Sequence, residues 1–161
     1  MSPAPDPLAD CAGCVCFAVR RAARAITQHY DRALRPSGLR ATQFTLLTVL
    51  ALAGPLPVSR AAGRLGMERT TLTRNLRPLV KQGLVTLGDG DDRRIRTLTL
   101  TARGRRAAVA ALPHWRHAQR VAAREVDQVA LASLQALARV LPTSRSERVS
   151  GTSTTRKERR S

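Results

Sequence analysis

The chain has 161 residues, which suits one domain or one domain with a tail. Hydrophobic residues make up 43% of the chain but aromatic residues only 2%, so the core must be built from Ala, Leu and Val, which favours helices. Lys and Arg number 28 against 11 acids, a formal charge of +17. This excess indicates nucleic acid as the leading partner, with an anionic membrane surface second. No apolar run is long enough to span a bilayer and no signal peptide is recognisable, so we expect a soluble, cytoplasmic protein.

The first half of the chain predicts a disordered, proline-rich lead-in followed by four helices. The lead-in covers residues 1–7, and the helices cover about 8–34, 41–53, 59–65 and 69–83. Glycine and proline residues end the first two helices, and single glycines end the other two.

The pattern changes period after the fourth helix. Residues 84–87 and 95–101 read as two strands joined by a Gly- and Asp-rich turn, which predicts a β-hairpin. A long alanine-rich helix over about 102–125 and a last amphipathic helix over about 126–141 follow. Residues 143–161 hold one aliphatic residue and are predicted to be a disordered basic tail.

The helix predicted over 69–83 carries the main functional signal. Its apolar side is formed by Leu72, Leu76, Leu79 and Val80, and its opposite side by Thr70, Arg74, Arg77 and Lys81. Guanidinium and hydroxyl groups read base edges and hold phosphates. Taken alone, such a side is more often a solvated helix face. The short helix and glycine turn before it predict a helix–turn–helix, and the basic hairpin tip after it suits a minor groove.

Three segments resemble the winged helix–turn–helix of the MarR family of bacterial transcription regulators: LRATQFTLLTVL, MERTTLTRNLRPLVKQGLV and DGDDRRIRTLTLTARG. The family's most specific signature is matched by Asp92, Arg94, Leu100-Thr101 and Gly104. The resemblance implies a mainly α fold with a small β-hairpin wing. It makes 39–101 the winged helix–turn–helix DNA-binding region, with dimerisation helices in 8–38 and 102–142.

The resemblance also implies site residues. Arg94 would enter the minor groove, and Asp92 would orient the wing by pairing with a basic side chain. The complete set of expected DNA contacts is Arg69, Thr70, Thr71, Thr73, Arg74, Arg77, Lys81, Asp92, Arg93, Arg94 and Arg96. The chain departs from the family at the starts of two helices. Arg40 stands before the second helix, where a capping residue is common in the family, so either Thr42 caps this helix or its first turn frays. Glu68 stands before the fourth helix, and its carboxylate suits the helix N-terminus electrostatically.

The implied function is that of a homodimeric, sequence-specific repressor of a pseudo-palindromic operator, released by a small aromatic or carboxylate ligand. The apolar residues of the first and last two helices exceed what a small winged motif can cover, which independently favours a homodimer. The expected ligand cleft comprises Arg20, Arg24, His29, Tyr30, Phe44, Leu47, Thr48 and Trp115. For its apolar members, core packing is the alternative interpretation.

Two other functions remain as alternatives. A constitutive architectural DNA-binding protein would suit the charge and the basic tail. A thiol-based redox or metal sensor would use Cys11, Cys14 and Cys16, close to the basic residues Arg20 and Arg21; small apolar packing is the alternative for these cysteines.

An enzyme is not expected, because phosphate loops, nucleophile elbows and paired carboxylates are missing from the sequence. No cofactor or metal is expected, since His114 and His117 lack a neighbouring acid or thiol. Pro78 predicts a bend in the fourth helix, either tolerated by packing or useful for seating its first half in DNA.

Overall fold

The computed structural model describes residues 6–89 and 96–140 and shows a mainly helical chain with a small antiparallel sheet. Its elements are a 3₁₀ helix Ala9–Gly13, α1 Val15–Leu34, a 3₁₀ turn Arg35–Ser37, α2 Ala41–Ala53, β1 Leu56–Pro57, α3 Val58–Arg64, α4 Arg69–Lys81, β2 Val85–Asp89, β3 Arg96–Leu100, α5 Ala102–Glu125 and α6 Gln128–Val140. Residues 1–5 of the predicted lead-in, the basic tail, and the wing-tip residues Asp92, Arg93 and Arg94 lie outside the described residues. Within the described ranges, no helix combines the length and the apolar character needed to cross a bilayer.

The start of the chain differs from the single helix predicted over 8–34. A short 3₁₀ helix ends at Gly13, Cys14 is extended with φ −63° and ψ 113°, and α1 begins at Val15. The prediction of one continuous helix was therefore wrong at this point. Glycine has the lowest helix propensity after proline, which explains where the break falls.

The sheet has three strands rather than the predicted two. The hairpin pairs β2 with β3 in antiparallel register, with Val85 opposite Leu100. The two-residue strand β1 pairs with the other edge of β3, with Leu56 opposite Leu98. So short a strand has no periodic pattern of its own and exists because β3 supplies its hydrogen-bonding partner.

The core is aliphatic, as the composition predicted. Its largest fully buried side chains come from α1, α2, α4 and the sheet: Leu34, Leu46, Leu47, Leu50, Leu72, Leu79, Val85 and Leu98. Helix α4 therefore shares one core with α2 and the strands, which fixes the side that α4 turns outward.

Helices α3 and α4 end in the same way. Gly66 and Gly83 adopt left-handed backbone conformations with φ +60° and +66°, which glycine adopts without steric cost. The amide of the following residue donates back across the turn in each case, Met67 to the Ala62 carbonyl and Leu84 to the Leu79 carbonyl, both at 2.9 Å. These Schellman caps make the tight turn into α4 and the exit from it.

The start of α2 is held by another helix. Asp31 of α1 accepts a hydrogen bond from the Ala41 amide at 2.7 Å. Gln43 accepts one from the Arg40 amide at 2.9 Å. The prediction that Thr42 would cap this helix, or that its first turn would fray, was therefore wrong, because the capping carboxylate comes from α1.

Candidate nucleic-acid interface and ligand cavity

Helix α4 has one buried and one exposed side. Leu72, Leu76 and Leu79 are between 0% and 4% exposed, so the helix is anchored by three leucines. Val80, predicted on the same side, is 41% exposed and borders solvent instead. The exposed side carries the polar residues expected there: Arg69, Thr70, Thr71, Thr73, Arg74, Arg77 and Lys81. The α-helix continues through Pro78 to Lys81.

A shallow groove runs along the exposed side of α4. It is lined by Arg69, Thr70, Thr73, Arg74 and Arg77. The Thr73 hydroxyl donates to the Arg69 carbonyl at 2.8 Å, inside the helix. Because its proton is used there, Thr73 presents acceptor lone pairs to a ligand in the groove.

A second groove separates α4 from the wing. Its apolar floor includes Leu76, Val80 and Leu87, and its cationic members are Arg69, Arg77, Lys81 and Arg96. Arg96 of β3 contacts the Leu87 carbonyl through its guanidinium, with a separation of 3.5 Å. The structure thus brings Arg96 beside the cations of α4, whereas Thr71 lines neither groove.

The charge on α4 is uniform. The helix contains four basic residues, Arg69, Arg74, Arg77 and Lys81, and no acid among its 13 residues. Such a side attracts phosphates, because neutralising them releases condensed counterions.

A cavity of about 390 Å³ lies where α1, α2 and α5 meet. Three of the predicted ligand residues line it: Tyr30, Phe44 and Trp115. The rings of Phe44 and Trp115 are stacked, with centroids 6.1 Å apart and an interplanar angle of 26°. The other lining residues were not predicted and are Ile26, Thr27, Leu34, Ala41, Thr42, Thr45, Leu65 and Met67. Some of them lie three or four positions from Tyr30 or Phe44 and could have been identified because such positions share one side of a helix.

The remaining predicted ligand residues lie elsewhere. Leu47 is fully buried in the core. The Thr48 hydroxyl donates to the Phe44 carbonyl at 2.9 Å, and His29 Nε2 lies 3.1 Å from the Ala118 carbonyl oxygen. Arg20 and Arg24 line a separate groove near the start of α1.

A polar contact between α1 and α5 borders the cavity. The Tyr30 hydroxyl donates to Gln119 Oε1 at 2.5 Å. Burial raises the pKa of the Tyr30 phenol above its ordinary value of 10.0, because burial disfavours the phenolate. Tyr30 therefore offers the cavity a neutral, hydrogen-bonded phenol.

Comparison with known proteins decides the family. Residues 37–95 match the family model described as "MarR family". The crystal structure of the Mycobacterium tuberculosis transcriptional regulator MosR in complex with DNA is 43% identical in sequence. That similarity covers 79% of this chain and 95% of MosR, with a TM-score of 0.73. The chain belongs to the MarR family. This confirms the predicted family and winged helix–turn–helix fold, in a family of DNA-binding transcriptional regulators.

Two further relatives are also described as transcriptional regulators. A probable transcriptional regulator from Pseudomonas aeruginosa is 26% identical over 81% of this chain and 98% of its own, with a TM-score of 0.68. The uncharacterised HTH-type regulator YwoH of Bacillus subtilis is 30% identical over 83 residues, 52% of this chain. That match spans 61% of the length of YwoH.

The three cysteines of this MarR-family chain are exposed and free. Packing inside the subunit therefore does not explain them. Cys14 and Cys16 line the same groove as Phe17, Arg20, Arg21 and Arg24. Across residues 6–89 and 96–140, no group of three or more His, Cys, Asp or Glu side chains is placed to hold a metal ion.

Large apolar side chains are exposed on the helices outside the winged motif. Helix α6 buries none of its residues, and α1 buries only Leu34. The exposed set on these two helices is Val15, Phe17, Ile26, Val129, Leu131, Leu134 and Val140. Exposed apolar surface of this extent is typical of a protein–protein interface.

Proposed function

We propose that this MarR-family chain is a homodimeric repressor that binds a pseudo-palindromic operator and is released by a small aromatic ligand. The observation that carries the DNA-binding part is helix α4, which buries three leucines and exposes four cations without an acid. Its relative MosR has been crystallised in complex with DNA, which supports the same partner here.

The two ends of α4 are proposed to contact DNA differently. Arg74 lines the groove together with Thr70 and Thr73, so its planar guanidinium suits a base edge. Lys81 lies in the last turn beside the wing and suits a phosphate.

Substitution of Arg74 and Lys81 tests this division. We expect Arg74→Ala to lower affinity and relax sequence preference, and Lys81→Ala to weaken binding to all duplexes alike. Arg124→Ala on α5 removes the same charge away from α4 and serves as the matched control. Binding is measured by fluorescence anisotropy at fixed salt, on a duplex enriched from a random library by the wild-type protein and on random duplexes. Equal binding of wild type to both duplexes would favour the architectural alternative.

The homodimer is proposed from the exposed apolar residues of α1 and α6. An interface that resembles a halved core would cover them and would double the recognition helices. Leu134→Asp should produce monomers and weaken binding to the enriched duplex. Light scattering at micromolar concentration measures this, and a stable folded wild-type monomer would refute the dimer.

The ligand is proposed to be aromatic with a hydrogen-bonding group. Phe44 and Trp115 offer ring faces and Tyr30 a phenol, whereas Arg20 and Arg24, expected to pair with a carboxylate, lie in another groove. Screening phenolic and benzoate compounds by thermal shift, with Trp115→Leu as the cavity variant, tests this. A compound that raises the unfolding temperatures of wild type and Trp115→Leu equally binds outside the cavity.

A thiol sensor is the second candidate, favoured by the exposure of Cys14 and Cys16 beside three arginines. Peroxide oxidises an exposed cysteine thiolate to a sulfenic acid and is reduced to hydroxide; a second thiol then forms the disulfide and releases water. Mass spectrometry after mild peroxide, alongside DNA binding, is the measurement. Unmodified cysteines with unchanged binding would eliminate this candidate.

A further inference from the structure

One hydroxyl bonds the end of α4, the proposed recognition helix, to the start of α5. Thr101 is the N-cap of α5, and its Oγ1 accepts a hydrogen bond from the Gly104 amide at 2.9 Å. The same hydroxyl donates to the Gly83 carbonyl at 2.7 Å. The Thr101 amide donates to the Leu84 carbonyl at 3.1 Å. Since Gly83 and Leu84 form the C-terminal cap of α4, Thr101 is bonded to both helices at once. We call these four residues the Thr101 bridge.

The Thr101 bridge is closely packed. A Cβ atom at Gly104 would overlap the carbonyl oxygen of Leu84 and press against the Leu100 side chain. The first turn of α5 therefore lies directly against the peptide that follows α4. Close-packed contacts transmit displacement, so a shift of α5 must move the end of α4 while the bridge is intact.

Helix α5 reaches from the Thr101 bridge to α1. Its Ala118 carbonyl lies 3.1 Å from His29 Nε2, and its Gln119 accepts the Tyr30 hydroxyl. Helix α5 thus connects the end of α4 to α1, one of the two helices whose exposed apolar residues we assign to the dimer.

We propose that Thr101 is a positioning residue: its hydroxyl holds α4 at a fixed orientation to α5 and so sets the preference for operator over random DNA. This inference rests on the proposed sequence-specific DNA binding. Beyond that proposal, it identifies the Thr101 hydroxyl as the group through which the position of α5 affects the proposed DNA-contacting side of α4.

Three variants separate the bridge from simple helix capping. Thr101→Ser keeps the hydroxyl. Thr101→Asp keeps an oxygen that caps the Gly104 amide, but the carboxylate has no proton for the Gly83 carbonyl and repels it. Ala102→Asp places the same charge on the neighbouring exposed residue and controls for electrostatic loss of DNA affinity. The measurement is the ratio of dissociation constants for random and library-enriched duplexes, with unfolding temperature and dimer state recorded for each variant.

We expect Thr101→Ser and Ala102→Asp to keep the wild-type ratio, although the latter weakens binding to both duplexes. Thr101→Asp should lower the ratio about fivefold, the scale of one hydrogen bond. The inference would be overturned if the ratio for Thr101→Asp lay within twofold of the ratio for Ala102→Asp. It would also be overturned if Thr101→Ser lowered the ratio as much as Thr101→Asp does. If Thr101→Asp does not fold, Thr101→Val is measured under the same criteria at a temperature where it is fully folded. A wild-type protein without operator preference would instead refute the proposed function.

Discussion

Replacing Gly104 with alanine should destabilise the protein, although alanine is the better helix former. Gly104 lies in the first turn of α5, where an added Cβ would overlap the Leu84 carbonyl oxygen. Relieving the overlap must move α5 or the peptide after α4 and weaken the Thr101 cap. Overpacking costs about 1–3 kcal/mol and loss of a cap about 1 kcal/mol, so we expect a loss of roughly 2–4 kcal/mol. At roughly 2–4 °C per kcal/mol for a chain of this size, the midpoint of thermal unfolding should fall by about 4–16 °C.

The matched control is the same substitution at Gly63. This residue lies within α3, and a Cβ there would meet no atom within 4 Å. Gly63→Ala should therefore stabilise by about 0.5–1 kcal/mol, the ordinary gain in a helix. Both variants are compared with wild type by calorimetry at one protein concentration, because dimer stability depends on concentration. A Gly104→Ala variant as stable as wild type would refute the steric argument, whatever the control shows.

Three further predictions concern the start of α2, Tyr30 beside the cavity, and Pro78 in α4. Asp31→Ala removes the carboxylate that caps the Ala41 amide and should cost about 1 kcal/mol in urea unfolding. Asp31→Asn keeps an acceptor oxygen and should cost less; equal losses would contradict the capping role. The raised pKa of Tyr30 means that its contribution to stability is present below pH 10 and is lost as pH rises through the folded-state pKa. Tyr30→Phe should remove this loss of stability at high pH. If the free energy of unfolding of Tyr30→Phe falls with pH as steeply as that of wild type, other groups cause the loss. For Pro78→Ala, changes below about 0.5 kcal/mol in both stability and operator affinity would show that the proline has no role.

Features with a local cause could be predicted from the sequence. The division of α4 into leucine and arginine sides follows from helical periodicity, and its end follows from Gly83. The aliphatic core follows from the composition. The break at Cys14 was missed because a single glycine inside an otherwise helical pattern is often tolerated.

Features made by residues far apart in the chain could not be predicted in the same way. The Asp31 carboxylate caps a helix ten residues later, and β1 is a strand because β3 lies beside it. Tyr30, Phe44 and Trp115, chosen from the sequence for their aromatic rings, line one cavity. Arg20 lines a different groove, because it lies ten residues before Tyr30, about 15 Å along α1.

Helix α4 is thus attached at two independent places. Its leucines fix its rotation about the helix axis by packing into the core, and the Thr101 bridge fixes its C-terminal end to α5. Neither attachment uses the exposed side chains of Thr70, Arg74 or Arg77. Substitutions of these side chains should therefore change the proposed DNA contacts without disturbing how the helix is held. Substitutions in the attachments should alter operator preference and stability together, because the same contacts hold the fold and aim the helix.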